Sequence, residues 1–290
     1  MRILILFILC AAFTAPAQTN YDTVNINPIK ITETIYMMLG AGGNIGFIKG
    51  EDGALLIDNQ FGPLSEKIKG AVQAEGGGEI KMLINTHIHG DHTGGNENFK
   101  KWGVTIIAHD NVRERMMIEN KARNLPPRDK SAWPVITFPD RMNLHWNKED
   151  LELYHFTNGH TDGDVIIKFS KANVFHMGDM YVQYGYPYVD VNSGGGINGF
   201  ISSLDKMLDL MDDQSRIIPG HGSLATKKDV KAFRDRLVEI RDAVAAALKK
   251  GTKVADVGSL PIASKYDAEW GKGFVKGKDF VLMVAESISK

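Results

Sequence analysis

Apolar and polar positions alternate with a period of two along Ile31-Thr32-Glu33-Thr34-Ile35-Tyr36-Met37, the pattern of a half-buried strand. Ile45 to Lys49 and Ala54 to Asp58 read as two further strands joined by a turn at Gly50 to Gly53. From Pro63 to Glu75 the period changes. Leu64, Ile68, Ala71 and Val72 fall on one helical face, and the run Gly76-Gly77-Gly78 ends it. Lys81 to Asn85 is a short apolar strand that runs straight into a polar, glycine-rich stretch, Thr86 to Gly95. A helix is expected at Asn96 to Lys101, a strand at Val104 to Ala108, and a helix at Asn111 to Lys121. Residues 122–140, with Pro126, Pro127, Pro134 and Pro139, read as loop.

The second half repeats this style. Asp150 to Phe156, Asp164 to Phe169 and Asn173 to His176 read as strands, and His145-Trp146 as part of a hairpin. A glycine- and aromatic-rich loop covers 184–199. Phe200 to Met211 is an amphipathic helix with Ile201, Leu204, Leu208 and Met211 on one face. Ile217-Ile218 is a short strand ending in Pro219-Gly220-His221-Gly222, and Lys227 to Lys250 is a long helix. No linker separates the halves. The alternation of strands and helices predicts an α/β fold of two sheets packed face to face with helices outside.

The N-terminus has a different character. Arg2 precedes the nearly unbroken apolar run Ile3 to Phe13, and Ala15-Pro16-Ala17 supplies an A-x-A pattern. This predicts a signal peptide over residues 1–17, cleaved before Gln18, and an exported, periplasmic chain with one domain over 18–290. The rival, a lipoprotein signal with Cys10 as its lipidated residue, would cut the apolar run in half. No later apolar run is long enough to span a bilayer, so no membrane insertion of the mature chain is expected. Cys10 is the only cysteine of 290 residues, which excludes a disulfide scaffold, a zinc ribbon and a thiolate-held iron–sulfur cluster within one chain. The net charge of −1 argues against a nucleic-acid surface. No pattern in the chain speaks for a particular oligomeric state.

Chemistry concentrates in the nine histidines. His87-x-His89-x-Asp91-His92 sits at the end of an apolar strand, where scaffolds display ligands. Three further candidates follow later strands: His160 in Gly159-His160-Thr161-Asp162, Asp179 in Met177-Gly178-Asp179-Met180, and His221. Each of these is weak alone. Together the seven are imidazole and carboxylate donors, whose convergence would need a shared cation. A donor set without thiolate suits zinc, iron or manganese. His109, His145, His155 and His176 are expected to be structural.

These motifs, in this order, resemble the metallo-β-lactamase superfamily over roughly Ile31 to Lys250. The resemblance implies an αββα four-layer sandwich and two Zn2+ per chain. It implies that His87, His89 and His160 hold the first metal, that Asp91, His92 and His221 hold the second, and that Asp179 bridges them. The best-known β-lactamase class has a cysteine at the position of Asp179 and a lysine where Val182 stands; this chain has neither.

The expected reaction is zinc-dependent hydrolysis of an acyl bond. On this expectation a metal-bridged hydroxide would attack a carbonyl carbon, with Asp91 orienting it or taking its proton. Ser193 and Ser223 lack a nucleophile elbow. Thr86, Asp162 and Asp58 are candidates to orient the imidazoles. Tyr184, Tyr186, Pro187 and Tyr188 would rim the pocket, with Gly194-Gly195-Gly196 allowing movement. The expected substrate is a small molecule, a cyclic amide or ester such as a β-lactam. Alternatives are a lactonase, a thioesterase resembling glyoxalase II, a mononuclear iron dioxygenase acting on persulfides, and a non-catalytic binding module.

Overall fold

A computed structural model describes residues 19–119 and 125–289. The expected signal peptide and its cleavage before Gln18 lie outside these residues.

Two mixed sheets form the centre. The first contains β1 (Asn27–Lys30), β2 (Ile35–Leu39), β3 (Ile45–Ile48), β4 (Ala54–Ile57), β5 (Ile80–Ile84), β6 (Thr105–His109) and β7 (Ile136–Phe138), in that order. Pairing is antiparallel from β1 to β4 and parallel from β4 to β7. The second contains β8 (Arg141–Trp146), β9 (Glu149–His155), β10 (Val165–Phe169), β11 (Val174–His176), β12 (Arg216–Ile218) and β13 (Ala225–Thr226). Here only the β11–β12 pair is parallel.

Each sheet is covered on both faces, which is why β3 and β4 are apolar at consecutive positions. Successive side chains point to opposite faces. Leu55 and Ile57 meet Val165, Ile167 and Phe169 of the other sheet in the central core. Ala54 and Leu56 face outward to α1 (Ser65–Ala74) through Ile68 and Val72, and to Phe99. Phe99 lies on α3 (Asn96–Lys101), which follows the short α2 (Gly90–Thr93). On the far side, Ile166, Phe175 and Ile217 pack against α5 (Ile197–Leu210) and α6 (Lys227–Lys249). Val230, Phe233, Leu237, Ile240 and Val244 make the buried stripe of α6, and Thr226 with Asp229 forms its capping box. The order of layers is therefore helix, sheet, sheet, helix, as expected.

Several boundaries differ from the pattern reading. The strand expected from Ile31 starts at Ile35, because Thr32 Oγ1 accepts from the backbone of Thr34 and Ile35 and turns the chain there. The region 122–140 contains β7. Pro134 and Pro139 flank it, a placement that an edge strand tolerates. The helix α4 (Asp110–Met117) stops before Lys121, since Ile118 is extended. Beyond Lys249 the chain adds α7 (Val254–Val257), α8 (Asp267–Trp270) and α9 (Gly277–Ile288), the last burying Phe280, Val281 and Val284 beside α5 and α6. Among the described residues no helix is long and apolar enough to cross a membrane.

Candidate metal centre

The C-terminal ends of β4, β5, β11 and β12 meet along one edge of the sandwich, and the turn between β9 and β10 joins them. Asp58 ends β4, Thr86 and His87 follow β5, Asp179 follows β11, His221 follows β12, and His160 lies before β10. Asp91 and His92 sit on α2. All seven expected side chains come together. The ligand atoms of His87, His89, His160 and Asp179 lie within 4.8 Å of one another, and those of Asp91, His92 and His221 do likewise. Asp179 joins the two groups, with Oδ1 3.2 Å from His92 Nε2 and Oδ2 3.6 Å from His160 Nε2.

The surrounding hydrogen bonds fix which ring nitrogen carries the proton. Asp58 is fully buried and accepts from Thr86 N at 2.8 Å, Thr86 Oγ1 at 2.7 Å and His92 Nδ1 at 2.7 Å. The His92 proton is therefore on Nδ1. Thr86 Oγ1 gives its own proton to Asp58, so it accepts from His87 Nδ1 at 3.0 Å. His89 Nε2 donates to Asp190 Oδ2 at 2.8 Å, and His160 Nδ1 donates to Tyr188 O at 2.6 Å. In each ring the other nitrogen is the one turned toward the centre. His89 Nδ1 and His160 Nε2 face one another at 2.9 Å, an arrangement that only a shared proton or cation satisfies.

Three buried atoms at the centre, His87 Nε2, His92 Nε2 and Asp179 Oδ1, have no hydrogen-bond partner. Orphaned buried polar atoms are costly, and here they converge. Burial alone would lower the His92 imidazole, but Asp179, Asp91 and Asp58 raise it well above its usual value. Burial would raise Asp179 and Asp91, but His92 and His221 hold both well below the carboxylate range. The centre calls for positive charge, and the residues fit a divalent metal. Glycines let them approach: a Cβ on Gly43 would overlap the His92 ring, and one on Gly220 would overlap Asp179 Oδ1.

Of the three expected orienting residues, Asp58 and Thr86 act as anticipated. Asp162 does not touch an imidazole; it pairs with Arg115 through two 2.6 Å bonds. The buried residue that holds His89 is Asp190, which the sequence reading missed. A carboxylate in a long loop carries no signal of its own. It reaches His89 because the loop folds back, with Asp190 N donating to His160 O and Asp162 N donating to Ser193 O.

The other histidines are structural. His109 caps α4 and donates to Pro139 O, His155 stacks on it at 3.4 Å, His145 pairs with Asp150 on the β8–β9 hairpin, and His176 is buried beside Asn44 O.

A cavity of about 360 Å³ opens above the centre, with His89, Asp91, His160, Asp179 and His221 on its floor. Tyr184, Tyr188 and Phe274 form its wall. Tyr186, expected at the rim, is instead core: it is fully buried, donates to Ala263 O and packs on Trp270 and Phe280. Neither Ser193 nor Ser223 lines the cavity.

The model of the metallo-beta-lactamase superfamily matches residues 39–221, which include all seven donors. An acyl-coenzyme A thioesterase MBLAC2 of Gallus gallus is 23% identical over 207 residues, covering 63% of this chain and 73% of that protein. A hydroxyacylglutathione hydrolase of Nitrosococcus oceani is 29% identical over 170 residues, or 58% of this chain and 57% of that protein. The solved structure of a metallo-beta-lactamase from Pontibacter korlensis has the same fold, with a TM-score of 0.62 at 16% identity, covering 74% of this chain and 99% of that one. The chain belongs to the metallo-beta-lactamase superfamily.

Proposed function

We propose that this superfamily hydrolase is exported and cleaves a small cyclic amide or ester, with β-lactams in its range, using two zinc ions. His87, His89 and His160 would hold one ion, Asp91, His92 and His221 the other, and Asp179 both. When bound, such a pair supplies a nucleophilic water at neutral pH and polarises a carbonyl oxygen. The chain's own residues do the rest. Asp58, Thr86, Asp190 and the Tyr188 carbonyl keep the four inner imidazoles in ligating tautomers. Asp91 is the more accessible of the two carboxylates, with a side chain 30% exposed against 7% for Asp179. It stays ionised at neutral pH, faces the cavity, and can orient an attacking water and take its proton. No serine or cysteine is needed as a nucleophile.

One observation carries this reading: three orphaned buried donor atoms point at the same space. The names of the thioesterase and hydroxyacylglutathione relatives favour a second reading, cleavage of a thioester. The test is a panel of β-lactams, lactones, thioesters and phosphoesters on zinc-loaded protein, with metal content measured alongside. Chelation is expected to abolish turnover, zinc to restore it, and His87→Ala to lack it while remaining folded. Full activity in metal-free protein would overturn the proposal. One iron per chain with persulfide oxidation would assign the centre to a dioxygenase instead.

A further inference from the structure

Floor and wall of the cavity differ in chemistry. The floor is histidine and aspartate, and the wall is Tyr184, Tyr188 and Phe274. Among the described residues no Lys or Arg lines the cavity. A substrate carboxylate would meet no counter-charge from the chain there, while an apolar group would meet rings.

Phe274 stands out, because it is 80% exposed on a segment that is otherwise pinned. Val275 is buried and pairs antiparallel with Tyr186. Phe274 lies in the bend just before this bridge, and its side chain is turned outward while that of Val275 is buried. Lys276 Nζ donates to Gly271 O at 3.1 Å and Gly273 O at 3.0 Å, closing the loop. A Cβ on Gly273 would overlap the Tyr184 carbonyl, and one on Gly185 the Trp270 carbonyl, so the two segments touch backbone to backbone. The ring is thus displayed from a fixed frame. It meets Tyr188 near edge-to-face at 6.2 Å, and Tyr188 lies 6.0 Å from the His89 ring. Scattered exposed hydrophobes are ordinary. This one is anchored on both sides and completes the wall beside the reactive groups. It also lies beyond residues 39–221, so the C-terminal part of the chain supplies it.

We infer that Phe274 determines specificity: with Tyr188 it grips an aromatic or branched alkyl group beside the scissile carbonyl of an uncharged substrate, a lactone or ester without a carboxylate. This deepens the acyl-hydrolase reading and rests on it, and it ranks carboxylate-bearing β-lactams below uncharged esters as substrates. The step needs only water. The acyl carbon–oxygen bond breaks, the carbon takes OH, and the departing oxygen takes the proton.

The test compares three γ-butyrolactones on the zinc-loaded full chain: unsubstituted, phenyl-bearing and carboxylate-bearing. In the unaltered protein the phenyl lactone is expected to have the lowest KM. Phe274→Ala should raise that KM about tenfold, the scale of a lost apolar contact, and more than it raises the KM of the unsubstituted lactone, with the loss in KM rather than in kcat. An unchanged KM, or a preference of the unaltered protein for the carboxylate lactone, would overturn the inference. Calorimetric binding of 2-phenylcyclopentanone against cyclopentanone separates the two proposals. Phe274-dependent binding without turnover of any lactone supports the wall and contradicts the hydrolase reading. Turnover without Phe274 dependence does the reverse, and neither turnover nor binding contradicts both.

Discussion

Asp58→Asn changes one atom at the point where two ligand tautomers are set. Position 58 has a φ of 64°, a left-handed conformation that asparagine tolerates, so the backbone turn is expected to survive. The oxygen of the new amide must face Thr86 N to keep that bond. The NH2 then takes the place of Oδ2, opposite His92 Nδ1 and Thr86 Oγ1. A donor now faces a donor. His92 relieves the clash by moving its proton to Nε2, the nitrogen that would bind metal. Thr86 Oγ1 must accept from the introduced amide and so donate to His87 Nδ1, which pushes the His87 proton to Nε2 as well. A hydrogen bond to an ionised group is worth about 1.5–3 kcal/mol, and about 1.4 kcal/mol is tenfold in affinity. Losing the His92 bond alone should weaken zinc binding about 10- to 150-fold, with the His87 flip adding to it. The assay is competition for zinc against a chelator, with the melting temperature of the metal-free variant as a check on folding. A folded Asp58→Asn variant that matched the original protein's affinity in the zinc competition would refute the tautomer argument.

Three further outcomes are expected. Asp190→Ala removes the acceptor of His89 Nε2–H and should lower turnover about 10- to 100-fold, the usual range for a residue behind a metal ligand; steady-state kinetics at saturating zinc reads this. Gly43→Ala places a methyl group against the His92 ring and should lower the zinc content of the purified protein, measured by elemental analysis, more than it lowers helix content. His176 is buried and its pKa is lowered by burial to about 4. Since the unfolded imidazole takes up a proton near pH 6.5, the unfolded chain binds more protons below that value. Metal-free stability should therefore fall as pH drops from about 6.5 toward 4 and level off below, and His176→Gln should flatten that part of a melting curve against pH.

Much of the centre was legible because its residues bring their own local context. His87, His89, Asp91 and His92 follow an apolar strand within six positions, and His160, Asp179 and His221 each follow a strand or precede one. Four layers were legible because strands such as β3 and β4 are apolar on both faces. Other features depend on contacts that no local pattern encodes. Asp190 is found only once the loop folds back on His160, and Asp162 was misassigned because its partner, Arg115, is on α4. Tyr186 and Tyr188 are two residues apart in one loop, yet α8 and α9 bury the first and leave the second at the cavity. Thr32 ended a strand early through its hydroxyl, which hydrophobic alternation does not register.

The most direct test of the account is anomalous diffraction at the zinc edge from crystals of the zinc-loaded protein. Two peaks are expected, one bounded by His87, His89 and His160 and one by Asp91, His92 and His221, with Asp179 touching both and donor distances of about 2.0–2.2 Å. Zinc bound elsewhere, or no peak among these seven side chains, would contradict it.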